Sequence, residues 1–295
     1  MRQTTLLASG ERVPRSTLRI TNLSRRLLRS PAGFLGFVVL ALVIILAILA
    51  PIVVPDSPYV MNRIDSLQGP SRSHPMGTDE LGRDLFSRVV YGARTSLLVA
   101  AIAVAIATLI GAPIGIAAGY FEGWIDSFSM RVMDVVFAFP ALLLALTITA
   151  FLGPSLRNAT LALGIVYAPG FARIVRGPVL SAKHQEYVEA SRVSGAGHAR
   201  ILVRHLLPNV LSPLIVTATV TFSFALLAEA ALSYLGLGAQ PPEPSWGAML
   251  SGGRRFMETV PSLAIFPGIA IMVTVLATNL LGDALRDVLD PRLRR

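Results

Sequence analysis

The sequence predicts an all-helical protein that crosses a membrane several times. Of its 295 residues 53% are hydrophobic, and the mean hydropathy of +0.64 is far from that of a soluble domain. Apolar runs of about 20 residues recur, each long enough to cross a hydrocarbon core of roughly 30 Å as a helix. The formal charge of +9 lies largely in the segments that flank those runs, which is a signal of topology before one of nucleic-acid binding. Counting the runs gives six transmembrane helices with both termini cytoplasmic. Basic stretches interleaved with aromatics are missing, so no nucleic-acid partner is expected.

Taken in order, residues 1–32 are polar and arginine-rich, with Arg12, Arg15, Arg19, Arg25, Arg26 and Arg29 ahead of the first span. Ile20, Leu23, Leu27 and Leu28 fit one helical face, which suits a basic amphipathic segment lying on an anionic leaflet. The apolar run 33–54 is too long for the hydrophobic region of a signal peptide and is expected to remain as the first span. Residues 55–92 form an external loop of mixed charge. Within it Asp79, Glu80, Arg83 and Asp84 allow local ion pairs ahead of an amphipathic helix, each pair worth about 0.5 kcal/mol when exposed.

The other five spans fall within 93–283. The second, 95–118, carries Gly111, Pro113 and Gly115, where bends are expected. The third, 128–152, is read as one helix. It holds Asp134 near its inner end, with Arg131 three residues earlier on the same face as a self-neutralising pair. The fourth, 158–175, is expected to be broken at Pro169 and Gly170, and ends in Arg173 and Arg176. The fifth, 211–234, is rich in Thr, Ser and Ala, as helix–helix or pore-lining faces often are. Glu229 lies near its outer end and is expected to snorkel to the interface. Trp246, in the external stretch that follows, is expected as an interfacial anchor. The sixth span, 260–281, leads into a charged cytoplasmic tail, 283–295. Arg131, Asp134 and Glu229 are the intramembrane charges to examine, for function or for helix register.

The connector 184–208, between the fourth and fifth spans, is polar, basic and too patterned for a plain linker. Glu186, Glu189 and Val193 recur at helical spacing, as do Tyr187, Ala190, Ser191 and Ser194. The second set is mostly small, so another protein's backbone has room to approach it. Ser194, Gly195, Ala196 and Gly197 then break the helix, because glycine costs about 1 kcal/mol inside one and readily takes positive φ at its end. A second helical run, 198–206, precedes Pro208, which suits the first turn of the next span.

At these residues the chain resembles the permease subunits of ATP-binding-cassette (ABC) importers. Glu189, Ala190 and Ser191, then Gly195, then Leu207 and Pro208 follow that family's pattern of E-A-A, three residues, G, nine residues, I-x-L-P. Ser191 stands at the third small position and His205 where the pattern has Ile. The stretch MGTDELGRDLFSRVVYGARTSL, residues 76–97, resembles the C-type subunit of the dipeptide/oligopeptide/nickel branch. So do residues 229–238, 244–250 and 282–292, and Arg131, Asp134 and Pro140 fit a pattern common in the wider family. The resemblance covers nearly the whole chain. It implies a type I ABC importer permease fold in the cell inner membrane, a homologous second permease, two ABC ATPase subunits and an external substrate-binding protein. It also implies that Glu186, Tyr187, Glu189, Ala190, Ser191, Gly195, His205, Leu207 and Pro208 form the ATPase-coupling loop. The cargo stays open among dipeptides, oligopeptides, nickel chelates and glutathione.

Much chemistry is excluded. With no cysteine there are no disulfides, thiolate nucleophiles or Cys-based metal sites. Lys183, the sole lysine, follows Leu-Ser-Ala and not a glycine loop, so the chain has no Walker A motif. No cofactor is expected on this chain, and ATP and Mg²⁺ belong to partner ATPases. His198 and His205 share a helical face, yet no cysteine or nearby carboxylate completes a ligand set. No catalytic residues are assigned and the chain is not expected to be an enzyme. Two rivals from other classes are a proton-coupled secondary transporter using Asp134 or Glu229, and a non-transporting membrane scaffold. The first requires midplane charges and inverted repeats, and neither is found.

Overall fold

The computed structural model describes residues 30–54 and 56–289, all of whose regular elements are helical. The basic amphipathic stretch before residue 30 and the end of the tail after residue 289 lie outside the described residues. Helix α1 (Pro31–Ile48) opens under a cap in which Ser30 Oγ accepts from Gly33 N at 3.3 Å. Pro51 has no N–H to return to residue 47, and the chain restarts as the short α2 (Ala50–Val53).

The loop from residue 56 is ordered by its own hydrogen bonds. Leu67 N donates to Asp79 O at 3.0 Å, Thr78 N to Gln68 O at 3.0 Å, and Thr78 pairs with Asp84 in an isolated antiparallel bridge. Asp84 then caps α3 (Leu85–Phe121), its Oδ2 accepting from Ser87 N at 2.7 Å. The amphipathic segment and the second span are therefore one 37-residue helix with no boundary near residue 93, and Pro113 does not end it. Of the charges named in this loop Asp79, Arg83 and Asp84 are buried and Glu80 is exposed: Arg83 Nε meets Asp79 Oδ2 at 2.6 Å with both side chains about nine-tenths covered.

The third span is not one helix. α4 (Gly123–Phe137) and α5 (Ala141–Leu152) meet at 86° across Ala138, Phe139 and Pro140. Pro140 has no N–H for the ladder and drives Phe139 out of the α region, so the expected rod folds at that point. The fourth span shows the reverse. α6 (Leu156–Ala182) runs unbroken through Pro169 and Gly170, because Ala168 and Ala172 on either side of the buried Pro169 pack against α3 and hold the helix where a hydrogen bond is missing.

The α3–α6 pair is the most extensive helix contact in the molecule. Gly111, Gly115 and Gly119, one turn apart on α3, lie against Ala168, Ala172 and Arg176 of α6. An added Cβ at Gly115 would overlap the Ala172 carbonyl oxygen, and one at Gly119 would fall 2.8 Å from Arg176 O. This small-residue stripe lets the two backbones touch, where the sequence predicts only bends at Gly111 and Gly115.

After α6 come α7 (Glu186–Val193), α8 (His198–Ile201), a π-turn (Leu202–Leu206) and α9 (Leu207–Tyr234). Helices α10 (Trp246–Gly253) and α11 (Ser262–Leu289) complete the bundle. From His198 to Tyr234 the helix is continuous, so five unbroken helices and the bent α4–α5 pair have the length and apolarity to span a membrane. Trp246 is not an interfacial anchor. It is 2% exposed, Nε1 donates to Val89 O at 2.9 Å, and Gly92 leaves room for its ring. Burial of the ring with its one donor satisfied fixes α10 against α3.

Candidate functional site

The connector is an acidic-edged helix held down by an apolar underside. Gln185 precedes α7, and Glu186 and Glu189 occupy its first turn, where the helix dipole favours negative charge. Val188 is fully buried and joins Ile201 and Leu206 in the core cluster that also holds Val179 and Tyr120. Sequence reasoning passed over Val188, although its place opposite Glu186 and Ala190 on the helical wheel marks it as the inward residue. Glu186, Glu189, Ala190 and Val193 face outward, Val193 with 90% of its surface free.

Gly195 ends α7 at φ +78°. Ala196 N donates to Ser191 O at 3.0 Å and Gly195 N to Arg192 O at 3.0 Å, which is a Schellman cap. An added Cβ at Gly195 meets nothing within 4 Å. The glycine is thus required for its left-handed backbone, not for close approach of two helices.

The face expected to lie open to another backbone is partly used within the chain. Ser191 Oγ lies 3.0 Å from His205 Nε2. Tyr187 OH accepts from Asn209 Nδ2 at 2.8 Å, and that amide also donates to His205 O at 2.7 Å. Ala190 remains exposed. The second helical run lasts only to Ile201 before widening into a π-turn, in which Leu207 N reaches back to Leu202 O. A proline ring at residue 208 would crowd the Arg204 carbonyl in a normal α-turn, and the wider turn relieves it. Leu207 and Pro208 therefore sit inside one continuous helix, so the connector's second half is the N-terminal end of the helix that α9 continues.

A ladder of charge anchors the connector's other side. Lys183 Nζ meets Glu122 Oε1 at 2.5 Å and donates to Tyr120 O at 3.3 Å. Arg176 binds Asp126 through Nε at 2.6 Å and Nη2 at 2.5 Å, a bidentate fork. Arg173 Nη2 meets Asp134 Oδ1 at 2.6 Å and stacks over the Phe137 ring at 4.2 Å. The expected Arg131–Asp134 pair does not form. Asp134 takes its partner from α6, and Arg131 is exposed. The hydrogen bond from Lys183 holds the Glu122 carboxyl below its ordinary range, with the His184 ring adding in the same direction. His198 and His205 also part company, His198 Nδ1 lying 2.8 Å from Tyr120 OH.

Glu229 does not snorkel. It is fully buried in α9, where Oε1 accepts from Ser233 Oγ at 2.7 Å. Ser96 and Ser245 stand beside the carboxyl, while Oε2 makes no bond of good geometry. Ser233 Oγ also accepts from Ala239 N at 3.1 Å, so this knot pins the C-terminal end of α9 to the chain that follows it.

Comparison with known proteins adds the following. Residues 111–295 match the family described as binding-protein-dependent transport system inner membrane component, and residues 22–70 match the N-terminal TM domain of oligopeptide transport permease C. The dipeptide transport system permease protein DppC of Alkalihalophilus pseudofirmus is 45% identical over 270 residues, covering 92% of this chain and 89% of that protein. The glutathione transport system permease protein GsiD of Escherichia coli O1:K1 / APEC is 45% identical over 271 residues, again covering 92% and 89%. An inward-facing structure of the MetNI methionine ABC transporter aligns with a TM-score of 0.57 at 20% identity, over 69% of this chain and 97% of that one. That last likeness is one of fold.

Proposed function

The chain belongs to the family of binding-protein-dependent transport system inner membrane components, and on that basis we propose that it forms half of the translocation path of an ATP-driven importer of short peptides. The other half is a homologous second permease. Two ATPase subunits bind ATP and Mg²⁺ below them, an external binding protein delivers cargo, and both termini of this chain are cytoplasmic. The chain itself performs no covalent chemistry. It supplies contacts that differ between an outward-open and an inward-open state.

The observation that carries this reading is the mounting of the connector. Glu186, Glu189, Ala190 and Val193 face outward, while Val188, Ser191 and Tyr187 fix α7 to the inner end of α9. A push on the outward face by a closing ATPase pair reaches α9 through Ser191–His205 and Tyr187–Asn209. It reaches α3 through Tyr120–His198, and α4 and α6 through the ladder of ion pairs. Glutathione is the second reading for the cargo, since a glutathione permease is as similar to the chain as a dipeptide permease.

The test is uptake into vesicles of the reconstituted four-subunit complex. Accumulation of labelled dialanine that requires both ATP and the binding protein supports the proposal. Accumulation driven by a proton gradient without ATP overturns it.

A further inference from the structure

A cavity of about 310 Å³ opens between the ordered loop before α3 and the segment joining α9 to α11. It lies at the end of α9 opposite the connector, which places it on the external side under the orientation proposed above. One wall is charged and nearly dry. Asp79, Arg83 and Arg88 line it, each with less than a tenth of its surface exposed or close to that limit. Asp79 Oδ1 is committed to the backbone, accepting from Leu81 N at 2.9 Å and Arg83 N at 3.0 Å. Its Oδ2 is shared by two guanidinium groups, Arg83 Nε at 2.6 Å and Arg88 Nε at 3.4 Å.

Two buried cations thus lean on one carboxylate, and among the described residues no other acid pairs with either of them. Arg88 Nη1 donates to Pro58 O at 3.0 Å, and Arg83 makes no side-chain bond beyond its Nε. Guanidinium N–H groups are left over at the cavity wall. A buried charge without a counter-charge is costly, and a second carboxylate offered to the fork removes that cost. The rim is mixed in sign: Glu80 and Glu243 are exposed at its mouth beside Arg255, and Glu243 accepts through one oxygen from Tyr59 OH at 3.3 Å. A ligand with one carboxylate and one ammonium a few bonds apart matches both walls, and the volume lies at the lower end of the range for small-molecule sites, roughly 300–1,000 Å³.

We propose that this cavity is a cargo-receiving site in the permease itself, in which Arg83 and Arg88 take the free α-carboxylate of a short zwitterionic peptide and Glu80 and Glu243 take its ammonium. The site rests on the transport function proposed above and refines it: the permease inspects the cargo's charged ends after release from the binding protein. Glu229 supports the floor, since Ser233, which lines the cavity, is bonded to its Oε1. The rival occupant is an acidic side chain of the binding protein, and the experiment separates the two.

The complex is reconstituted in nanodiscs without the binding protein, and saturation-transfer NMR titrates dialanine, dialaninamide and N-acetyldialanine. Dialanine is expected to bind, and the amide to bind about 10- to 100-fold more weakly, as loss of one charge-assisted contact implies. Acetylation should weaken binding less, and Glu80→Gln should abolish that smaller preference. Arg88→Gln, with folding checked by complex yield, should erase the preference for the free carboxylate. Equal affinity for dialanine and its amide overturns the site. So does an Arg88→Gln complex that has lost binding-protein affinity while peptide binding is unchanged, which would mark a docking surface. ATP-driven uptake is measured on the same preparation, so that a working importer lacking this preference refutes the site alone.

Discussion

Ser191 and His205, the two positions at which the connector departs from the E-A-A … I-x-L-P pattern, are hydrogen-bonded to each other at 3.0 Å. Fourteen residues apart in sequence, they close α7 onto the π-turn that leads into α9. A hydroxyl in place of a methyl and a ring nitrogen in place of an alkyl chain are each a loss in an apolar seam, but together they satisfy one another.

This pairing makes a double-mutant cycle informative. Ser191→Ala and His205→Ile should each destabilise the solubilised complex, by about 1 kcal/mol, by leaving a part-buried polar atom without its partner. The double variant should recover most of that loss, giving a coupling energy of at least about 0.5 kcal/mol. Thermal unfolding and the ratio of peptide imported to ATP hydrolysed are the two readouts. Strict additivity in both would mean that the contact does not matter.

Asp126 and Arg176 form a part-buried fork between α4 and α6. Asp126→Arg should leave two cations facing each other and reduce membrane abundance and uptake sharply. Arg176→Asp alone should do the same with two carboxylates. The exchanged pair, Asp126→Arg with Arg176→Asp, should restore abundance to within about twofold of the original, as expected where pairing outweighs local context. Failure of the exchange, with both singles mild, would show that the fork is incidental.

Gly115 touches the Ala172 backbone, so Gly115→Ala should force α3 and α6 apart at a cost of about 1–3 kcal/mol, despite alanine's better helix propensity. Gly177→Ala on α6 is the control. Its added methyl meets nothing within 4 Å, and the substitution should be neutral or mildly stabilising. Detergent thermal shifts of the two variants in opposite directions are the expected result.

Lys183 is the only lysine, so endoproteinase Lys-C can cut this chain at one place. Its ammonium is covered and tied to Glu122, and Glu122→Gln should raise the cleavage rate several-fold at neutral pH. The pH dependence follows from the direction of the Glu122 shift. A carboxyl held below its ordinary value contributes stability that is fully present above the unfolded value and lost as pH falls through the lowered one. The difference in thermal stability between the original and Glu122→Gln should therefore stay flat from about pH 8 to pH 5.5 and shrink as the pH falls through and below the ordinary carboxylate range. A difference that already shrinks between pH 7 and pH 6 would mean that the Glu122 carboxylate is not its source.

The cysteine-free background permits a direct test of orientation. Ser71→Cys in the loop before α3 should react with an impermeant maleimide in sealed cells, and Ser181→Cys beside the connector only after the membrane is opened. Labelling of Ser181→Cys from outside would invert the whole arrangement.

The spans were legible because length and apolarity alone decide them, and the α7 stop was legible because Gly195 is a local backbone requirement. Proline was not legible, because its effect depends on its neighbours. Pro140 is exposed and folds the third span, whereas Pro113, also exposed, stays inside α3 and Pro169 inside α6, two helices held straight by packing along each other. Charges behaved the same way. Spacing nominated Arg131 for Asp134, but the partner lies 39 residues away on α6. Glu229 was placed at the interface by its distance from the helix end. The hydroxyls that let it stay buried, Ser96, Ser233 and Ser245, come from three different elements and share no sequence window.

The continuity of the helix from His198 to Tyr234 makes it a beam about 55 Å long, 37 residues at about 1.5 Å each. Its inner end is gripped by Tyr120 and Ser191, and its outer end holds Ser233 at the floor of the charged cavity. A beam pivoting near its middle moves its two ends in opposite senses, and a tilt of about 5° swings each by about 2.4 Å. Such a tilt would need no chain of rotamer changes between the ends. Tightening at the connector and loosening of the cavity floor are then a single displacement, so a cargo that resists leaving the cavity would be felt as a load on the ATPases.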